Sequence, residues 1–245
     1  MNISVRAFET LDSTNNELKK LAAAGAPEGT VVIANEQTAG RGRLGRSFAS
    51  APGAGIYMSL LLRPDGGADS AVSLTAVCAV AVSRAIEKTC GVPVGIKWIN
   101  DLYLSGRKIC GILCESAVKQ DGCLYTVAGI GLNVSTRMED FPPEVRDKAG
   151  SLYTQTGRAF ERGALIAAIL TEFDALYAQW QTDAGVCLKE YRKRCIVLDA
   201  PVTVVSPEGE YEAVAEDISP DYGLIVRLPD GKRRTLHSGE ISIRR

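Results

Sequence analysis

After Cys195-Ile196-Val197 the chain changes character, and that change limits its possible folds more than any other feature. The runs Pro201–Val205, Tyr211–Asp217, Gly223–Leu228, Arg234–His237 and Ile241–Arg245 are short and strand-like, broken at Pro207-Glu208-Gly209, Asp221-Tyr222-Gly223 and Asp230-Gly231. Short strands joined by Gly- and Pro-containing turns predict a small all-β barrel. The residues before it mix two periods. Thr30–Ala34 and Gly55–Leu62 read as buried strands, with further strands at Val94–Trp98 and Leu124–Ile130. Asn16–Ala24 and Asp69–Lys88 read as helices, the second stopped by Gly91-Val92-Pro93. Leu165, Ile169, Phe173, Leu176 and Trp180 recur at spacings of three and four, which puts all five on one core-facing side of a helix. The expected organisation is an α/β domain over residues 1–196 and a barrel over 197–245, with Pro142-Pro143 a loop inside the first.

Composition narrows the function classes. A chain of 245 residues with 46% apolar content can bury a full core. Its 28 basic and 29 acidic residues nearly cancel, so no electrostatic footprint for DNA is present. Met1–Leu11 is too polar for a signal peptide, and Ser73, Thr75 and Ser83-Arg84 interrupt the most apolar stretch, Ala71–Val82, well short of the ~20 residues a membrane span needs. The seven cysteines contain no C-x-x-C pair, sit mostly in apolar patterns and have only His237 for company. Small buried thiols in a reducing cytoplasm account for them better than a zinc site.

Chemistry concentrates in four segments. Gly40-Arg41-Gly42-Arg43-Leu44-Gly45-Arg46 carries three guanidinium groups and three glycines without an acidic residue. Such a loop either closes on a phosphate or carboxylate or is a solvated surface loop. In Lys97–Leu113, two strand-like runs flank Ser105-Gly106, a hairpin signature that ties Lys97, Asp101 and Lys108 to neighbouring strands. In Gly129-Ile130-Gly131-Leu132-Asn133-Val134 the glycines mark close approach of the backbone to another group. Asp12-Ser13-Thr14-Asn15-Asn16-Glu17 reads as a helix start, with Thr14 as N-cap and Glu17 closing a capping box, compatible with a ligand at the same hydroxyls.

The order of these segments, with Gln37 before the arginine loop and Gly53–Leu60 after it, resembles the biotin protein ligases from about Phe8 to Ser242. That resemblance implies a mixed sheet with flanking helices, related to class II aminoacyl-tRNA synthetase catalytic domains, and a C-terminal SH3-like barrel. Bifunctional bacterial members carry an N-terminal helix-turn-helix domain; this chain begins at the catalytic part, which implies a monofunctional ligase. The implied substrates are biotin and ATP with Mg²⁺, and the implied partner is the biotin carboxyl carrier domain of acetyl-CoA carboxylase or another biotin-dependent enzyme. No DNA or membrane partner is expected, and a homodimer through a sheet edge is open.

The resemblance also implies roles. Lys108 would lie between the biotin carboxylate and the α-phosphate, where two anions must meet. Arg43 would bind phosphate and order the loop over the adenylate. Ser13, Thr14, Asn15, Gln37, Gly40, Arg41 and Gly42 would form the biotin-head pocket, with Gly111 and Gly131 leaving room for its ring and chain. Arg41, Arg46, Lys97, Asn100 and Asp101 would stand near the nucleotide, Asp101 being the possible metal ligand, and Asn133 would meet the adenine. Phe48 stands where the family usually has Trp, an aromatic cover without the indole N–H. Blander readings exist: Lys97 or Arg107 as strand-edge charges, Asp101 as a hairpin brace, Arg46 as a solvated loop charge, Glu240 as a barrel brace and His237 as structural. Rival functions are a lipoate or octanoate ligase and a non-catalytic sensor of biotinyl-adenylate.

Overall fold

The computed structural model describes residues 1–64, 70–119, 122–206 and 209–243. The expected helix start at Asp69, the Pro207-Glu208 part of a turn, Arg244-Arg245 and the side chains of Cys123 and Glu240 lie outside the described residues.

The larger part is a seven-stranded sheet. It is built from β1 (Ser4–Leu11), β2 (Thr30–Gln37), β3 (Gly55–Leu62), β4 (Gly95–Lys97), β5 (Asp101–Leu104), β6 (Arg107–Lys119) and β7 (Gly122–Asn133), in the order β1-β2-β3-β7-β6-β5-β4. Only β1 and β2 pair in parallel, joined through helix α1 (Thr14–Ala23) as a parallel connection requires. Strand β1 escapes sequence reading because it is a mostly exposed edge without the alternation of a half-buried strand.

Inner strands are apolar on both faces, and consecutive residues sort between two helical layers. Val32, Leu61 and Val127 pack under Leu18 and Ala22 of α1, whereas Val31, Leu60, Leu62 and Ala128 join the main core. That core is covered by α2 (Ser70–Cys90) and α4 (Arg162–Trp180), which pack together. Helix α2 is buried on nearly all sides, so its hydroxyls are satisfied internally: Thr75 and Ser83 donate to carbonyls one turn back, and Ser73 accepts from Trp180 Nε1 at 3.0 Å. The five residues expected on one face of α4 are all buried.

The start of α1 corrects the sequence reading. The helix begins at Thr14, its N-cap is Ser13, and no side chain caps it. Gln37, at the end of β2, replaces the local cap: its Oε1 accepts from Thr14 N at 2.8 Å and from Thr14 Oγ1 at 3.1 Å. Glu17, freed from a capping box, faces Lys20 at 3.3 Å.

Short helices α3 (Leu152–Thr156) and α5 (Leu188–Arg194) lead to the C-terminal sheet. This consists of β8 (Pro201–Ser206), β9 (Gly209–Ile218), β10 (Leu224–Arg227), β11 (Arg233–Leu236) and β12 (Glu240–Ile243), antiparallel in the order β11-β10-β9-β8-β12. It is the small all-β unit expected from the tail, in the place where the resemblance implies an SH3-like barrel. One continuous apolar cluster joins it to the large sheet, and Trp98 Nε1 donates to Tyr222 O at 2.9 Å across the junction. Among the described residues no helix is long and apolar enough to cross a membrane.

Candidate active site

Cross-strand register aligns the site. Lys97 pairs with Asp101, Asp101 with Gly111, Gly111 with Gly131, and Gly131 with Tyr57, so one row on one face crosses five strands. The next row holds Leu113, Gly129 and Ser59. Both rows lie on the α1 face, where bulky side chains give way to glycines and a floor opens. A cavity of about 820 Å³ stands on it.

Fifteen of the residues expected at a site line this cavity: Ser13, Thr14, Asn15, Gln37, Arg41, Gly42, Arg43, Arg46, Phe48, Lys97, Asn100, Asp101, Lys108, Gly111 and Gly131. Gly40 and Asn133 stand outside the wall. Gly40 is the point where the arginine loop crosses itself, since a Cβ there would strike Phe48 O and Ser50 Oγ. Asn133 donates to Gly150 O at 3.0 Å and has its Oδ1 buried without a hydrogen-bond partner.

The two ends of the cavity differ chemically. At the α1 end Ser13, Thr14, Asn15 and Gln37 are uncharged, with Arg41 the one charged side chain of the expected set beside them, and Ser13 caps no amide. Both Asn15 N–H groups turn into the protein, toward Leu113 O at 3.3 Å and Glu115 Oε2 at 2.8 Å. Gln37 Nε2 donates to Ser50 Oγ at 2.9 Å, which leaves its second N–H for the cavity. At the other end Lys108 Nζ lies 2.7 Å from Asp101 Oδ1, a buried oxygen that receives no directed hydrogen bond. Arg43 donates to Asn100 Oδ1 at 3.2 Å, and Asn100 Nδ2 donates to Ile112 O at 2.8 Å, anchoring the guanidinium to β6. Lys97 Nζ stands 5.6 Å over the Tyr103 ring.

Arg41 points the other way. It donates to Asn16 Oδ1 at 2.9 Å and meets Glu115 Oε1 at 3.1 Å, beside Lys19 at 2.7 Å from the same oxygen. Burial pushes the Glu115 carboxyl up, but Lys19, Asn15 and Arg41 outweigh it and hold the carboxyl below its ordinary value. Phe48 lies on the glycine floor: a Cβ at Gly131 would stand 2.7 Å from its ring, and one at Gly111 3.4 Å. The floor receives the aromatic side chain that the resemblance implies as an adenine cover.

Several wall residues carry no sequence signal. Val145, Asp147, Lys148 and Ala149 line the charged end because Arg107 donates to Arg146 O at 2.7 Å and Ala149 O at 3.1 Å. Lys108 N donates to Lys148 O at 2.8 Å in the same place, stitching this loop to β6. Arg107 is therefore a clamp and not merely an edge charge. Ile196, Gly239, Ile241 and Ser242 add a wall from the C-terminal part. His237 is exposed, 3.4 Å from Asp221.

The chain belongs to the Biotin/lipoate A/B protein ligase family, whose model matches residues 7–133, and the Biotin protein ligase C terminal domain matches residues 197–244. The bifunctional ligase/repressor BirA of Bacillus spizizenii is 41% identical over 74% of this chain and 56% of its own length, so the chain spans just over half of that relative. The biotin–[acetyl-CoA-carboxylase] ligase of Paracoccus denitrificans is 33% identical over 91% of this chain and 93% of its own. A biotin protein ligase from Aquifex aeolicus, solved with biotin and ATP, has a TM-score of 0.83 at 28% identity, covering 99% of both chains.

Proposed function

We propose that the protein activates biotin with ATP as biotinyl-5′-AMP and transfers biotin to a lysine of a biotin carboxyl carrier protein. The observation that carries this reading is one cavity with an uncharged hydrogen-bonding end at Ser13, Thr14 and Gln37 and a cationic end at Arg43, Lys97 and Lys108. A cyclic urea asks for neutral donors and acceptors, whereas a carboxylate approaching a phosphate asks for fixed positive charge.

In the first step a carboxylate oxygen attacks the α-phosphorus, the bond to the bridging oxygen breaks, and pyrophosphate leaves with that electron pair. Lys108 screens the two anions, while Arg43 and Arg46 hold phosphate oxygens and Lys97 and Asn100 line the nucleotide's path. Asp101 holds Lys108 in place. In the second step the carrier lysine, as the neutral amine, attacks the acyl carbon; AMP leaves and the amine's proton passes to solvent. Gly111 and Gly131 floor the biotin ring and chain, which requires Phe48 to lift from the floor and cover the adenine. Asn133 supports the wall at Gly150, beside the adenine. Mg²⁺ would neutralise phosphate charge, and Asp101, which lines the charged end of the cavity, is the carboxylate that could help hold it. Free cysteines at 78, 90, 110, 114, 187 and 195 suit a reducing cytoplasm.

The test is pyrophosphate release with biotin, ATP and Mg²⁺, followed by mass spectrometry of an added carrier domain. Biotin-dependent release and one biotinylated lysine are expected. Release with lipoate or octanoate but not biotin would replace this reading with the lipoate-type one, and biotin binding without release would make the chain a sensor.

A further inference from the structure

Ser59 sits in the middle of β3, fully buried, in a strand otherwise made of Ile, Tyr, Met and Leu after its first glycine. A hydroxyl in that setting must find partners or cost stability. Its Oγ lies 2.6 Å from Asn15 Oδ1 and 2.8 Å from Thr14 Oγ1, so it reaches both side chains at the start of α1. Directly across the sheet is Gly129, and a Cβ there would occupy the space of the Asn15 carboxamide. Ser59 and Gly129 together form a seat into which Asn15 drops.

Counting hydrogens shows what the seat does. Ser59 has one hydroxyl hydrogen and serves its two acceptors in turn. The Thr14 hydrogen is directed to Gln37 Oε1 at 3.1 Å, and both Asn15 N–H groups are directed to Leu113 O and Glu115 Oε2. Every hydrogen in the group points into the protein. Thr14 Oγ1 therefore faces the cavity as an acceptor.

We infer that Ser59 is a positioning residue that seats Thr14 and Asn15 at the head pocket, where Gln37 holds Thr14 as an acceptor, and thereby favours an acid whose head group carries an N–H donor. This rests on the biotin reading, and it adds a determinant that touches no substrate. Without the Ser59 hydroxyl, Asn15 Oδ1 loses its buried donor and Thr14 Oγ1 loses the donor beneath it, so neither side chain is seated at the start of α1.

The experiment compares biotin with a cyclic carbamate analogue in which one ring N–H is replaced by oxygen, using Ser59→Ala and the unmodified enzyme. One neutral hydrogen bond is worth about a factor of ten in binding. Ser59→Ala should raise the KM for biotin roughly tenfold with kcat within about twofold, and the biotin-to-carbamate ratio of kcat/KM should fall about tenfold. Gly129→Ala, which displaces Asn15 but keeps the hydroxyl, should lower the same ratio. If Ser59→Ala does not fold, Ser59→Cys, with a weak S–H donor of similar size, gives the same comparison. A folded variant with an unchanged ratio would overturn the role of Ser59, whereas no biotin-dependent pyrophosphate from the unmodified enzyme would overturn the functional reading itself.

Discussion

Lys108 and Asp101 show how one residue's work depends on its neighbour. The ammonium rests 2.7 Å from the carboxylate in a cavity that, on the proposed function, receives two further anions. Losing one charge-assisted contact in a partly desolvated site costs about 2–4 kcal/mol, so Lys108→Ala should slow adenylation roughly 30- to 1,000-fold. The stranded Asp101 adds repulsion, so the double variant Lys108→Ala, Asp101→Ala should recover about threefold or more in a rapid-quench assay. Near-normal adenylation by Lys108→Ala would show the charge to be misplaced. Which segments line the cavity is legible in the sequence from their order together, since the arginine loop by itself reads equally as a solvated surface loop. The separate jobs of their residues are not. Arg41 and Arg43 are two residues apart, yet one pairs with Glu115 and the other with Asn100, partners that are distant along the chain. Ser59 is invisible for a related reason: a lone serine in an apolar strand looks like a tolerated small residue until Asn15 is placed above it.

At the level of elements, the arginine loop is closed on itself. Gly42 N donates to Arg46 O at 2.7 Å, Phe48 N donates to Gly40 O at 2.9 Å, and the tip turns through Leu44 and Gly45, both left-handed. Leu44 is 72% exposed in a conformation that branched side chains seldom adopt, which leaves the tip weakly held. Trypsin cleavage after Arg41, Arg43 and Arg46 should fall when biotin and ATP are added together. Glu115→Gln, which removes the charged partner of Arg41, should raise cleavage without ligands. Equal cleavage in all samples would mean that neither the ligands nor Glu115 orders the loop. Elements are legible where local chemistry decides them: the Ser105-Gly106 hairpin needs two left-handed residues, and both have positive φ, 49° and 79°. The extension of β2 to Gln37 is set by β1, an edge strand without a pattern of its own. Likewise the Val145–Ala149 wall exists because Arg107 catches its carbonyls, and a polar loop gives no sign of that.

Over the whole molecule, the two sheets share one apolar cluster, so they should melt as one unit. Trp98→Phe removes the bond to Tyr222 O and leaves a buried carbonyl unpaired, a cost of about 1–3 kcal/mol. For a chain of this size that lowers Tm by roughly 3–10 °C, read by calorimetry as a single shifted peak. Two separate peaks in the unmodified protein would contradict the shared core.

The wall supplied by Gly239, Ile241 and Ser242 has a further consequence in time. These residues follow the seven-stranded sheet by about a hundred positions, and chains are made from the N-terminus at about 5–20 residues per second. The sheet, its glycine floor and the arginine loop are thus synthesised some seconds before the cavity acquires its last side. On the proposed function, a chain still on the ribosome has the charges to activate an acid but not the enclosure that would keep a reactive anhydride from water.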